Sequence, residues 1–389
     1  MKIGLGQVDI TPPPKVPMDG YEYRKTGSTG VHDPLHVRAL VADDGRTRLA
    51  WVIAELIGFG RALTDRVRDL AGSAAGIPAG HIMVSATHTH GGPSPRPRPG
   101  VDADHQAHGR WLGDLPGKMA EAVVLASADA CESVLLRGRG RLDTVQHNRR
   151  MILKDGRTVM DWDHPDPSLL GEPGPVDPDV WILAVERRGR IEGLLSQFAC
   201  HATVLPQDNF LITADWPGVS CHEMAAGLGP GAWAAVAQGC CGNINPRFPR
   251  DSFEEAQKKG KAVARAAVEA LARAVPLKGP LAATIEPVFL PRRKQGEDPY
   301  AGEIQALKMG EAAVVGLPGE CFAEIGLDIK GRSPFSATLV GSYATDYDLG
   351  YVPAESAYAG GAYEIAATKL APGADRLLAE AALKALGRP

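Results

Sequence analysis

Nowhere does this chain contain the run of roughly 20 apolar residues that a membrane-spanning helix needs. Its opening, Met1 to Pro12, reads as a strand entering a proline-rich turn, with no apolar stretch of signal-peptide length. These two absences predict a cytoplasmic protein without an integral membrane segment. Charge of one sign is scarce as well. The formal net charge is -4, and the one basic cluster, Pro291-Arg292-Arg293-Lys294, reads as a solvated loop, so nucleic acid is not an expected partner. The six cysteines (Cys131, Cys200, Cys221, Cys240, Cys241, Cys321) include no CxxC pair, which suits free thiols in a reducing compartment better than a disulfide framework. A low-complexity linker and an internal repeat are also missing.

What is present is enough apolar material for a large core: 44% of 389 residues are hydrophobic and 23% charged, inside the globular range. Short apolar segments alternate with alanine-rich stretches of helical period, the pattern of an α/β protein. Strands are expected at 37–42 and 48–54, joined by the Asp43-Asp44-Gly45 turn. A helix over 59–75 and a strand from His81 to Ser85 follow, then a helix over 116–130 and a strand over 134–142. A second hairpin, 180–187 with 191–199, turns about Arg188-Gly189-Arg190. Helices are expected at 219–227, 252–275 and 375–386, and 281–374 reads as a β-rich closing segment. The expectation is one α/β unit over 1–389, with mixed sheets flanked by helices in layers.

The densest chemistry lies in Thr87-His88-Thr89-His90-Gly91-Gly92-Pro93. An apolar strand ending there would place His88 and His90 on one face, where two imidazoles suit a metal or a general base. Three other segments end an apolar run in a reactive group or a tight turn. Phe198-Ala199-Cys200 delivers His201, for which a buried structural histidine is the competing reading. Leu317-Pro318-Gly319 delivers Glu320, and Gly239 to Pro246 forms a glycine-bracketed turn containing Asn243 and Asn245. Asp215 could orient a ligand histidine or cap the following helix. The paired thiols Cys240-Cys241 have no basic neighbour in sequence to activate them. Five of the eight tyrosines fall between Tyr343 and Tyr363, including Tyr351 and Tyr363. Two histidines and a glutamate are the ligand set of a catalytic zinc site with an open position for water, although nothing in the spacing forces these residues together.

In their order along the chain, these motifs resemble the neutral/alkaline ceramidases. The quoted segments are Gly6-Gln7-Val8-Asp9-Ile10-Thr11-Pro12, Thr87 to Pro93, Asn148-Arg149, Phe198 to His201, Gly239 to Pro246, Leu317 to Glu320, Gly350-Tyr351-Val352 and Tyr363-Glu364. The resemblance implies a layered ceramidase-like catalytic domain and a Zn2+ held by His88, His201, Glu320 and Tyr351; the C-terminal immunoglobulin-like domain that the family carries is not expected within 1–389. The resemblance further implies that His90 and Tyr363 stand beside the metal and that Arg149 holds a polar group of the substrate.

One departure is chemical. Where the family carries Gly-Asp-x-Ser-Pro, this chain has Gly242-Asn243-Ile244-Asn245-Pro246, and Asn245 cannot be a nucleophile, although its amide could donate to a developing oxyanion. The expected activity is hydrolysis of an amide, or of an ester or lactone, in a small soluble molecule by metal-activated water, with His90 moving the proton. A true ceramidase or N-acyl lipid amidase, and a non-catalytic binding protein on the same scaffold, are the alternatives. The oligomeric state is left open.

Overall fold

The computed structural model describes residues 1–387. Mixed sheets flanked by helices build the fold, as the alternation of segments predicts. The first sheet holds β1 (Lys2–Asp9), β2 (His36–Asp43), β3 (Arg48–Ala54) and β4 (Ile82–Ala86), accompanied by α1 (Arg61–Ala75) and α2 (His105–Asp129). The second holds β5 (Val134–Arg141), β6 (Asp179–Arg187), β7 (Arg190–Phe198) and β8 (Trp233–Gln238), with α3 (Asp215–Leu228) and α4 (Phe253–Ala270). The third holds β9 (Leu281–Leu290), β10 (Tyr300–Met309), β11 (Ala312–Gly316) and β12 (Ala337–Gly341), with α5 (Ala323–Arg332) and α6 (Ala374–Ala385).

Side chains alternate between two cores along each strand, as the two-residue period of a strand requires. In β3, Leu49, Trp51 and Ile53 enter a core shared by all three sheets, whereas Ala50, Val52 and Ala54 face the core under α1 and α2. Strand β6 repeats this: Trp181, Leu183 and Val185 join the shared core, and Ile182 and Ala184 pack toward α3 and α4. In β11, Val314 points into the shared core while Ala313 and Val315 meet the cluster with α5 and α6. Because both faces of each sheet are covered, the strands read as nearly continuous apolar runs.

Each sheet is largely antiparallel but contains one parallel pair whose crossover carries a helix: β3-α1-β4, β7-α3-β8 and β11-α5-β12. The same unit therefore occurs three times in a sequence that shows no repeat. This recurrence matters because the carboxyl ends of parallel strands are where α/β sheets place their ligand groups.

Several boundaries differ from the sequence reading. Helix α2 starts at His105, eleven residues before the expected 116, with Asp104 accepting from the Ala107 amide as its cap; Pro116 lies inside the helix and does not open it. Helix α3 begins at Asp215 instead of 219. Helix α4 ends at Ala270 and a short 3-10 turn follows; Val275, expected to close the helix, instead joins Pro276 in pairing with β5. The closing segment 281–374 is less purely β than its texture suggests, since it contains α5 and the helical turn Tyr363–Ala367. All six cysteines are free. Among the described residues no helix is long and apolar enough to cross a membrane.

Candidate metal centre

The carboxyl ends of the parallel strands converge. Beyond β4 lie His88 and His90, beyond β7 lies His201, beyond β8 the turn to Asn245, beyond β11 Glu320, and beyond β12 Tyr343 and Tyr347. A parallel bridge between Thr89 and Ala202 brings the His88-His90 segment against His201. Glu320 and Tyr351 are register partners in a two-residue parallel pair. The turn after β8 can approach this pair because residue 242 is glycine: a Cβ there would lie 2.5 Å from the Glu320 carbonyl oxygen.

The histidine pair is not arranged as a strand end. Strand β4 stops at Ala86, and His88 has a left-handed backbone with φ of 62°, so His88 and His90 do not share a strand face. The turn instead drives the His88 ring inward, where it stacks on Tyr343 at 3.9 Å. Tyr343 is itself left-handed, at φ 58°. Non-glycine residues in this region cluster at functional sites, held there by their surroundings.

The three imidazoles differ in what holds them. His88 Nδ1 lies 2.6 Å from the Ile57 carbonyl oxygen and His201 Nδ1 lies 3.0 Å from that of Ile244. A carbonyl only accepts, so both rings carry their proton on Nδ1 and leave the Nε2 lone pair facing the site. His90 has no such partner: its Nδ1 is buried without a hydrogen bond, and its Nε2 stands 3.2 Å from that of His88. Burial, reinforced by the neighbouring imidazoles, pushes the His90 pKa well below its ordinary value, and burial together with Arg149 lowers His201 to about 4.

Glu320 completes the cluster. Its Oε2 is 3.4 Å from Nε2 of both His88 and His201 and has no hydrogen-bond partner, while Oε1 accepts from the Tyr347 hydroxyl at 3.2 Å. Burial raises this carboxyl, whereas positive charge on the facing His88 and His201 would draw it well below the ordinary carboxylate range. The nitrogens of His88, His90 and His201 lie within 4.8 Å of one another. Two lone pairs of fixed tautomer beside an unpartnered buried carboxylate oxygen are a donor set that fits a divalent metal ion.

Arg149 forms the wall opposite the histidines. Its Nε donates to Glu364 at 2.7 Å and its Nη2 to the Tyr351 hydroxyl at 3.1 Å. Nη1 faces Asn245 Oδ1 at 3.4 Å and His201 Nε2 at 3.5 Å. The Tyr351 ring meets Tyr363 edge to face at 5.7 Å, and Tyr363 in turn meets Trp162 at 5.5 Å. Asn245 turns its amide nitrogen away, to the Asp161 carboxylate at 3.0 and 3.2 Å. This is not the orientation of an oxyanion donor, and neighbour chemistry fixes it: a carboxylate must accept and a guanidinium must donate.

No protein-family model matches the sequence. Among curated proteins, the chain is 27% identical over 267 residues to the neutral ceramidase of Pseudomonas aeruginosa, covering 64% of this chain and 37% of that protein. It is 25% identical over 266 residues to the neutral ceramidase of Mycobacterium tuberculosis, covering 63% of this chain and 40% of that one. The chain thus spans less than half the length of these relatives. In structure, it superposes along 100% of its length on 74% of the crystallised Pseudomonas aeruginosa neutral ceramidase chain, with a TM-score of 0.82 at 20% identity. The chain is thus similar in sequence to neutral ceramidases and shares their fold.

Within this ceramidase-like fold, His88, His90, Arg149, His201, Asn245, Glu320, Tyr351 and Tyr363 form one continuous series of contacts. Of the two roles open to Asp215, orienting His201 is not the one taken: its carboxylate accepts from the Leu205 and Trp216 amides at the start of α3. Cys241, which has no basic neighbour in sequence, is indeed no activated thiol, since burial raises its pKa well above the ordinary value. The sequence reading missed Tyr343, Tyr347, Trp162 and Asp161. The two tyrosines lie in the tyrosine-rich segment and were discoverable there, whereas Asp161-Trp162 carries no motif and reaches the site only through the tertiary fold.

Proposed function

We propose that the protein is a zinc-dependent hydrolase that cleaves an amide bond, or an ester or lactone, in a small molecule. The observation that carries this reading is the meeting of two Nδ1-protonated histidines, His88 and His201, with the unpartnered oxygen of Glu320. These three, with Tyr351 beside them, would hold the ion. Zinc bound there supplies a Lewis acid that brings the pKa of water toward neutrality and polarises a carbonyl oxygen.

The chain's own groups supply the rest. His90 is neutral, next to the ligand histidines, and its Nδ1 is free of partners, so it can take a proton from the attacking water and return it to the leaving group. Arg149 and Tyr351 present hydrogen-bond donors for oxygen that gains charge. Tyr363, whose ring is exposed at the edge of this wall, would bear on the substrate. Asn245 contributes by accepting from Arg149. The names of the relatives support amide chemistry.

A second reading, hydrolysis of long N-acyl chains, is favoured by the exposed aromatic pair Trp162 and Tyr363 beside Arg149. Elemental analysis of the purified protein, followed by a screen of small amides, lactones and N-acyl compounds of increasing chain length, tests both. Stoichiometric zinc with turnover of short amides is the expected result. A protein that binds no metal and hydrolyses none of these compounds overturns the proposal.

A further inference from the structure

Asp161 lies outside the metal cluster and none of the motifs includes it, yet it holds together one side of the site. It is 3% exposed, and its backbone N–H donates to the Arg149 carbonyl at 2.9 Å. Four contacts end on its carboxylate: His147 Nε2 at 3.1 Å, Arg250 Nη1 at 2.8 Å, and Asn245 Nδ2 at 3.0 and 3.2 Å to the two oxygens. Burial alone would raise this carboxyl, but the hydrogen bond with His147 and the charge of Arg250 bring it to about 2, so it is an acceptor only.

An asparagine amide has two nearly isosteric orientations, and a site that uses its oxygen must select one. Here Asp161 and Arg149 select it from opposite sides. In the reversed orientation the amide oxygen would face a carboxylate and the amide nitrogen a guanidinium, so both contacts would be repulsive. The selected orientation matters because Arg149 Nη1 has two nearby acceptors, Asn245 Oδ1 and His201 Nε2. Arg149 Nη1 is shared between the two, and an Asn245 amide that turned away would leave the His201 lone pair as its one nearby acceptor. Glu364 cannot compensate, since it is shared between Arg149 and Arg150.

We propose that Asp161 is a positioning residue: by binding the Asn245 amide it sets Asn245 Oδ1 on Arg149 and keeps Arg149 aligned with Tyr351. The kinetic consequence rests on the hydrolase reading, whereas the geometric consequence does not.

The test is an exchange of the two side chains. Asp161→Asn leaves Arg250 and Asn245 competing for one amide oxygen, and Asn245→Asp sets two carboxylates against each other. The double variant restores complementarity, because Asn at 161 donates to Asp at 245 and accepts from Arg250, while Asp at 245 accepts from Arg149. Each single variant is expected to lose about 10- to 100-fold in kcat/KM, the range for groups that orient metal-site residues, and the double variant to recover to within about 10-fold of the parent. Crystal structures should show Arg149 moved from Tyr351 in the single variants and returned to it in the double variant. A double variant no more active than Asp161→Asn, or an unmoved Arg149 in both single variants, overturns the proposal and leaves Asp161 a purely structural anchor. If the parent protein itself hydrolyses no amide, that counts against the hydrolase reading, and the crystal structures alone decide the role of Asp161.

Discussion

The Nε2 atoms of His88 and His90 lie 3.2 Å apart, yet the two imidazoles are held in opposite ways: His88 by the Ile57 carbonyl at Nδ1, His90 by nothing at Nδ1. A histidine whose Nδ1 is held by a carbonyl suits a ligand, and one whose Nδ1 has no partner suits a proton carrier.

This asymmetry separates metal content from turnover. His88→Ala and Glu320→Ala should each remove bound zinc together with activity. His90→Ala should keep zinc and lose about 100- to 10,000-fold in kcat, the usual contribution of a positioned acid–base group. Elemental analysis beside steady-state kinetics checks the division. Stoichiometric zinc in both His88→Ala and Glu320→Ala would sink the ligand assignment.

Gly20 bounds the space in which the His90 ring sits. It has φ of 94°, and a Cβ added there would lie 2.5 Å from Cγ of His90. Gly20→Ala should therefore displace the ring and lower kcat while leaving zinc bound, at a backbone cost of about 1 kcal/mol. Unchanged kcat in a folded, zinc-loaded variant would contradict the role given to His90.

Tyr347 holds one Glu320 oxygen through its hydroxyl at 3.2 Å, leaving the other directed at the histidines. Removing that hydroxyl in Tyr347→Phe should weaken zinc affinity by about 10- to 100-fold with little change in fold. Competition with a calibrated chelator measures it, and an affinity equal to the parent's would show that Glu320 needs no such support.

Acid stability should depend on Asp161. Its carboxyl falls from an ordinary 3.8 to about 2 in the folded protein. A depressed folded pKa means that the stabilisation is fully present above the unfolded value and is lost as pH falls from about 4 through about 2. The amount at neutral pH is about 2 kcal/mol. Urea unfolding of Asp161→Asn across that range should show a flatter acid limb than the parent, and an identical slope would rule out this linkage.

Much of the fold could be read along the chain because its cues are local. The hairpin of β2 and β3 follows from two short apolar runs on either side of Asp43-Asp44-Gly45, and Asp44 Oδ1 duly accepts from the Arg46 and Thr47 amides. The start of α2 was misread because Pro116 imitates a helix start, whereas the true cap, Asp104, follows a proline- and arginine-rich loop with no apolar period. The His88 turn reads as a strand because left-handed backbone at a non-glycine residue has no sequence signature; packing against Tyr343 and the Ile57 carbonyl imposes it.

By itself the sequence determined the chemistry available to this protein: His88, His90, His201 and Glu320 are ligand-type residues that come shortly after apolar runs, and Tyr351 lies in the tyrosine-rich segment. Only the tertiary structure decided how each is held. Tautomers, amide orientation and the Asp161-Asn245-Arg149 relay depend on partners between 31 and 96 positions apart in the chain, brought together by three β-α-β crossovers. A hydrogen bond selects a ring nitrogen or an amide face only once both of its ends are in place.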